Sequence, residues 1–331
     1  MNFDYNEEQQ LLADSVRRLL QKDYDFEARK KIVAGEGWSP ELWAKFAEMG
    51  LTGLPLSPDY GGFGGGAVDL MGVMEAFGEA LVVEPYLSTL LAAQLVARGG
   101  TAQQKQAILP AVAEGRLRLA FAHGTRGVLG APVAEKLVVS SGADLFLVDR
   151  AEVEIRPYRT LDSMLAADIE LRAAKRRALE GARGLVDEVI DYGTALICAE
   201  AVGAMKFACE ATLEYLKTRK QFGVPIGTFQ ALQHRIVDMY ISYEQARSMA
   251  CLACSRADQS NDPAERRRAI SAAKIKIADA ARHISQEAVQ LHGGMGMSEE
   301  MKVSHTFRRL TVLARQFGDA DHHLARFASA A

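Results

Sequence analysis

Three things are scarce in this 331-residue chain: excess basic charge, long apolar runs and paired cysteines. Its 39 Lys and Arg stand against 42 Asp and Glu, a formal net charge of −3, so the basic face of a nucleic-acid binder is missing. The longest basic run, Arg266-Arg267-Arg268, follows Asn261-Asp262-Pro263 and reads as a solvated helix start. No apolar stretch reaches the length of a bilayer span, so no membrane partner is expected. Residues 1–16, MNFDYNEEQQLLADSV, open acidic and amphipathic, without the basic start and apolar core of a secretion signal. A cytoplasmic, reducing setting is expected. Of the four cysteines, Cys251 and Cys254 have redox or zinc spacing but no second such pair and no flanking Trp-Gly. They read as buried thiols one helical turn apart.

What is present is an ordinary folding composition, 49% hydrophobic and 24% charged, in a chain long enough to bury a large core. Residues 1–115 read as helices. Asn6-Glu7-Glu8 caps a run with Leu11, Leu12, Val16, Leu19 and Leu20 on a helical period, and Ser39-Pro40 starts another helix. Gly61, Gly62, Gly64, Gly65 and Gly66 imitate a dinucleotide fingerprint. That fingerprint must follow a buried strand, and Pro55-Leu56-Ser57-Pro58 precedes it here, which excludes a Rossmann site. Between 116 and 185 the pattern turns to short β-rich runs: Leu117–Ala122, Lys136–Val139, Leu145–Val148, Val153–Ile155 and Asp168–Leu171, with a hairpin turn at Ser140–Asp144. From 186 to 331 it is helical again. Ala273, Ile277, Ala281, Ile284, Ala288 and Leu291 form one apolar seam, ended by Gly293-Gly294. The expected fold is mainly α with a small inserted β domain: an N-terminal helical domain (1–115), a shortened β domain (116–185) and a C-terminal four-helix-type bundle (186–331).

The stretch RQFGDADHHLARF, residues 315–327, gathers Asp319, Asp321, His322 and His323. These lack the i, i+4 histidine pairing of a helical zinc site, so no metal is expected. The plainer expectation is that Asp319 or Asp321 caps the last helix, the histidines fill its first turn, and Leu324 and Phe327 pack inward.

Two motifs in the C-terminal block carry more. The first is Tyr215-Leu-Lys-Thr-Arg219-Lys-Gln221-Phe222-Gly223-Val-Pro-Ile226, followed by Phe229-Gln230; the second is Gln290-Leu-His-Gly293-Gly294-Met-Gly296. With the helix–β–helix order and the early Pro58-Asp-Tyr60-Gly61-Gly62-Phe-Gly64, the chain resembles the acyl-CoA dehydrogenase family over essentially its whole length. The resemblance implies FAD, contacted by Arg219, Gln221, Phe222, Gln230, Gln290, Gly293 and Gly294. These residue types suit the cofactor. A guanidinium forks onto a pyrophosphate, an aromatic face meets adenine, and glycines let backbone amides approach a phosphate or ribose. Arg219 taken alone would instead read as a surface ion pair with Glu214. In the family these motifs complete a cofactor bound mainly by a neighbouring subunit, so an oligomer is implied.

The chain departs from the family where catalysis should sit. Leu119–Gly127, LAFAHGTRG, stands where a Thr-Glu-Pro-x-x-Gly-Ser-Asp-like loop should fix the flavin ring; only Thr125 is a remnant, and no Trp-Ile-Thr-like strand follows. Aligned on Arg308 and Gly318, the position of the base glutamate is Phe317. An alternative base position falls near Gly193 or Thr194, again without a carboxylate. Asp319, two residues late, and Glu200, about two turns along its helix, are the acids left for the role.

The resemblance therefore implies one subunit of an α2β2 acyl-CoA dehydrogenase, contributing an FAD half-site but no base. The homologous partner's glutamate would take the α-proton, hydride would pass to the flavin, and electrons would leave to an electron-transfer flavoprotein. The acyl-CoA substrates implied are bulky ones such as steroid side-chain thioesters. Two alternatives stay open: a self-sufficient homo-oligomer using Asp319 or Glu200, and a flavin-free, non-enzymatic relative with a binding or assembly role.

Overall fold

The computed structural model describes residues 5–142, 144–172, 174–179, 184–260 and 262–329. Ala143 of the expected hairpin turn, Asn261 of the basic helix start and residues 1–4 of the amphipathic opening lie outside them. In chain order come α1 (Glu7–Asp23), α2 (Phe26–Ala34), α3 (Pro40–Glu48), α4 (Ala67–Ala80), α5 (Tyr86–Gly99) and α6 (Ala102–Ala113). The strands β1 (Leu119–His123), β2 (Val128–Leu129), β3 (Lys136–Ser141), β4 (Asp144–Asp149), β5 (Glu154–Arg159), β6 (Leu165–Glu170) and β7 (Arg177–Ala178) follow. Then come α7 (Leu185–Thr218), β8 (Lys220–Gln221), β9 (Val224–Pro225), α8 (Gln230–Gln259), α9 (Pro263–His292), α10 (Lys302–Leu313) and α11 (Ala320–Ser329). The chain is mainly helical with a small sheet region, as its periodicities predict. It divides into two compact units, residues 1–26, 67–82 and 194–331, and residues 27–66 and 83–193, which cut across the three sequence segments.

The first unit is a helical bundle. Asn6 caps α1 through a capping box: its side chain accepts the Gln9 N–H (2.8 Å) while the Gln9 side chain accepts the Asn6 N–H (3.0 Å). The buried stripe of α1 runs through Ala13, Val16 and Leu20. Leu11 lies about 200° around the helix from Ala13 and is 64% exposed, so it does not join the expected apolar run. All six residues of the α9 seam are buried, and α9 stops at Gly293, whose φ of 63° only glycine adopts freely. Helices α4 and α7 touch backbone to backbone. A Cβ on Gly78 would stand 1.8 Å from the Glu200 carbonyl, and one on Gly203 would stand 1.8 Å from the Glu75 carbonyl.

The second unit packs helices around two small sheets, ordered β1-β3-β4-β7 and β2-β6-β5. β1 and β3 are parallel; β3 and β4 form a hairpin with Ser141 opposite Asp144. Apolar residues from both sheets share one core: Ala122, Leu137 and Val139 from the first, Val128, Ala167 and Ile169 from the second. β1 begins at Leu119, later than the expected Leu117, because the Leu117 amide is spent on the Ala111 carbonyl (3.0 Å) at the end of α6. β2 and β7 were not legible: strands of two residues show no alternation. The run Gly61–Gly66 forms a tight loop after a 3-10 turn, and a Cβ on Gly62 would lie 2.1 Å from the Leu56 carbonyl.

Glu84, just before α5, is 3% exposed, and among the described residues neither of its carboxylate oxygens has a hydrogen-bond partner. Burial pushes its carboxyl up to about 7; nearby amides and the Arg29 charge oppose this only in part. A folded-state value raised above the ordinary 4.5 gives stability that is full below pH 4.5 and is lost as pH rises through about 7. Glu84→Gln should therefore flatten the pH dependence between pH 5 and 8 and stabilise the chain by roughly 2–3 kcal/mol at pH 8. Urea unfolding at both pH values tests this, and an unchanged slope would refute it.

Candidate functional site

The bundle unit brings the two sequence motifs together. β8 and β9 form a hairpin, Gln221 opposite Val224, and Phe222 and Gly223 turn it with φ of 54° and 82°. Two consecutive positive φ values are what a two-residue turn of this hand requires, and glycine meets the second at no cost. The Tyr215 ring stacks on His292 at 4.4 Å, so the end of α7 sits against the end of α9. An Arg235–Glu287 ion pair (2.6 Å) ties α8 to α9 nearby.

Arg219, Gln221, Phe222, Gln230, Gln290, Gly293 and Gly294 are all exposed, Phe222 at 91%. Among the described residues the Arg219 guanidinium has no hydrogen-bond or ion-pair partner, so the pair with Glu214 does not form. Among the described residues nothing lies within 4 Å of a Cβ placed on Gly293 or Gly294, which leaves their backbone open to an approaching ligand. Phe229, Met295 and Met297 are also exposed beside these motifs, at 39%, 48% and 60%. A fork-shaped cation, bare backbone and apolar side chains on one surface are the donor set for a phosphate-linked aromatic group.

The loop between α10 and α11 holds the second candidate region. Phe317, where the family resemblance expects a base, is half-buried with φ of 59°. Asp319 caps α11: its Oδ1 accepts the His322 N–H at 2.9 Å, and this hydrogen bond holds its carboxyl below the ordinary range. A capping carboxylate is a weakened base. His322 and His323 do fill the first turn, but the inward face differs from expectation. His323 is fully buried while Leu324 is 57% exposed and Phe327 half-buried. The histidine turns in because two polar partners await it: the Phe317 carbonyl accepts from Nε2 (3.1 Å) and the buried Ser271 hydroxyl meets Nδ1 (3.3 Å). Burial and the Lys274 charge pull the His323 imidazole down to about 4.

Glu200 is 3% exposed, and its Oε1 accepts from Nε (2.7 Å) and Nη2 (2.6 Å) of buried Arg309. A carboxylate neutralised by a guanidinium and closed to water is a poor proton acceptor, which speaks against Glu200 as a base. Sequence reasoning missed Arg309, and it missed Lys274. Lys274 is buried, its Nζ donates to the Leu313 carbonyl (2.5 Å), and burial lowers its ammonium to about 8. The signal was there: Lys274 precedes Ile277 by three residues and Ala281 by seven, on the seam itself. Cys254 is buried as expected, Cys251 only half-buried. Among the described residues no helix is long and apolar enough to cross a membrane.

The family model described as Acyl-CoA dehydrogenase, N-terminal domain, matches residues 6–116, and that described as Acyl-CoA dehydrogenase, C-terminal domain, matches residues 181–331. Acyl-CoA dehydrogenase IpdE2 of Mycolicibacterium smegmatis is 29% identical over 323 residues, 97% of this chain and 98% of that protein. Among solved structures, the Tcur3481–Tcur3483 steroid ACAD superposes with a TM-score of 0.89 at 27% identity, over 98% of this chain and 97% of that one. The ChsE4–ChsE5 complex from Mycobacterium tuberculosis gives a TM-score of 0.90 at 25% identity, over 99% and 98%.

Proposed function

Because the chain belongs to the acyl-CoA dehydrogenase family, we propose that it is the base-less subunit of a heteromeric, FAD-dependent acyl-CoA dehydrogenase. It assembles with a homologous chain as α2β2, completes that chain's cofactor site and passes electrons to an electron-transfer flavoprotein. One contrast carries this reading. The hairpin and glycine motifs are intact and open, while the loop that should present a carboxylate presents Phe317, with Asp319 turned to capping and Glu200 tied to Arg309. Two similar structures, the Tcur3481–Tcur3483 steroid ACAD and the ChsE4–ChsE5 complex, support a heteromeric assembly acting on a bulky, steroid-like acyl thioester.

In this reading Arg219 binds the pyrophosphate, Phe222 with Phe229 at 6.2 Å covers the adenine, and the Gly293–Gly294 backbone meets phosphate or ribose. Gln221, Gln230 and Gln290 supply neutral hydrogen bonds around it. Bound flavin supplies the two-electron acceptor for Cα–Cβ desaturation of the thioester. This chain's residues bind and orient the cofactor; the proton is taken by the partner chain.

Purified alone the chain should be colourless; co-expressed with its homologous partner it should yield a yellow complex. In that complex Arg219→Ala should weaken flavin retention about tenfold or more, read by equilibrium dialysis, with Arg219→Lys in between. A chain that is yellow alone and bleached by acyl-CoA would overturn the proposal in favour of a self-sufficient enzyme. A colourless complex would favour a non-enzymatic role.

A further inference from the structure

A cleft of about 620 Å³ opens in the bundle unit, lined by side chains of α1, α4, α7 and α8 and by Tyr5. No residue of the hairpin or of the glycine motif lines it, so it is separate from the surface that carries those motifs. Its volume falls within the roughly 300–1,000 Å³ of small-molecule sites. Along one side Leu213 of α7 and Val237 and Tyr240 of α8 leave apolar surface uncovered, at 40%, 53% and 56% exposure. The Tyr240 and Tyr243 rings, 5.9 Å apart, give that side two flat faces.

The charges around the cleft cancel. Lys206 pairs with Glu210 (3.9 Å), Arg247 with Glu244 (3.7 Å) and Arg17 with Glu75 (3.6 Å). A charged ligand would have to break one of these pairs, whereas a neutral one leaves them intact. What the deeper end lacks is an acceptor. The Tyr5 hydroxyl and the Arg17 Nε are buried, and among the described residues neither has a hydrogen-bond partner. Burial and the Glu75 charge raise the Tyr5 phenol, but Glu75 makes no hydrogen bond of normal geometry to it. The Arg17 Nε lies 3.8 Å from Glu79, an ion pair beyond hydrogen-bond reach. The Arg17 charge also acts on the Tyr5 phenol, so the two unsatisfied donors are neighbours. A buried donor without a partner costs about 1–3 kcal/mol, which a ligand oxygen would recover.

We propose that this cleft is a binding site for a neutral polycyclic ketone, whose carbonyl oxygen accepts from the Tyr5 hydroxyl and the Arg17 Nε while its ring system lies on Leu213, Val237 and Tyr240. A ketone oxygen offers two lone pairs and no donor, the complement of two unsatisfied donors. A rigid ring system covers flat tyrosine faces and gives up little conformational freedom on binding, unlike a chain of similar size. The inference does not depend on the flavin reading.

Equilibrium dialysis of progesterone against the purified chain, alone and in complex with its homologous partner, tests it. One saturable site per chain is expected in both. Androstane, the ring skeleton without oxygen, and methyl nonyl ketone, a chain ketone, should each compete about tenfold more weakly or worse. Tyr5→Phe should weaken progesterone binding about three- to tenfold. It should melt no lower than the wild type, because the hydroxyl it deletes has no partner to lose. Val237→Trp, at an exposed position, should fill the cleft and abolish binding in a folded chain; if it does not fold, Tyr240→Ala decides, with binding about tenfold weaker expected. Absence of a saturable site overturns the inference, as does a site present in the chain alone and lost in the complex, which would make the cleft a contact for the partner. Equal competition by androstane or methyl nonyl ketone, or an affinity unchanged by Tyr5→Phe or by Val237→Trp, overturns it equally.

Discussion

Arg309→Leu is expected to destabilise the chain by about 3–5 kcal/mol, because it strands a buried carboxylate. Glu200 and Arg309 have side chains only 4% and 6% exposed, and Nε and Nη2 of the guanidinium both reach Oε1 of Glu200. Removing the arginine removes the positive charge and two charge-assisted hydrogen bonds at once, while water cannot reach Glu200 in compensation. Removing both charges is a different matter. In the double variant Glu200→Leu, Arg309→Leu most of the loss should return, since a buried pair and an apolar pair of similar volume differ little in net stability. Urea unfolding of the two single variants and the double variant gives the coupling directly. The same variants bear on chemistry. In the active complex Glu200→Gln should lower the melting temperature and leave turnover of the folded fraction near the wild type. A full-stability Glu200→Gln complex without turnover would restore Glu200 as a base.

The second large effect is expected at the crossing of α4 and α7. Gly203→Val should leave little folded protein, and Gly203→Ala should cost about 3 kcal/mol or more. The reason is geometric. The new Cβ would lie 1.8 Å from the Glu75 carbonyl oxygen, and the obstructing atom is backbone inside a helix, which cannot swing aside as a side-chain tip could. Gly78 meets the Glu200 carbonyl at the same 1.8 Å from the other side, so the helices cannot relieve one clash by sliding toward the other. Gly294→Ala is the control. Among the described residues nothing lies within 4 Å of its Cβ, so the chain should fold normally, and any loss should appear only in flavin retention by the complex. Soluble yield and denaturant midpoint separate the two outcomes; a folded Gly203→Val of ordinary stability would refute the crossing geometry.

The helices and the seam of α9 were legible because their information is local. A buried face repeats every three or four residues, and Ala273 through Leu291 displays that period without reference to anything else in the chain. The same holds for the Asn6 and Ser39 caps, which are satisfied within three residues. The Tyr215–Ile226 and Gln290–Gly296 motifs were legible as strings, and so was the phenylalanine at position 317. Locality also explains the errors. Leu11 and Leu324 are apolar residues that fit a helical count, yet the buried stripe passes beside each, and only the neighbouring helices decide which stripe is covered. β2 and β7 exist because a distant strand pairs with them, an interaction that two residues cannot announce.

The sequence by itself determined the helical class, the place of the small sheets and the family likeness, because each rests on periodicity or on residue identity at a fixed spacing. The tertiary structure alone decided what the remaining polar groups do. Asp319 becomes a cap, Glu200 the partner of Arg309, and Lys274 and His323 the clamps of the Phe317 loop. These roles depend on charges and donors brought together from residues far apart in the chain, where burial makes a partner obligatory, and no short-range pattern records which partner that is.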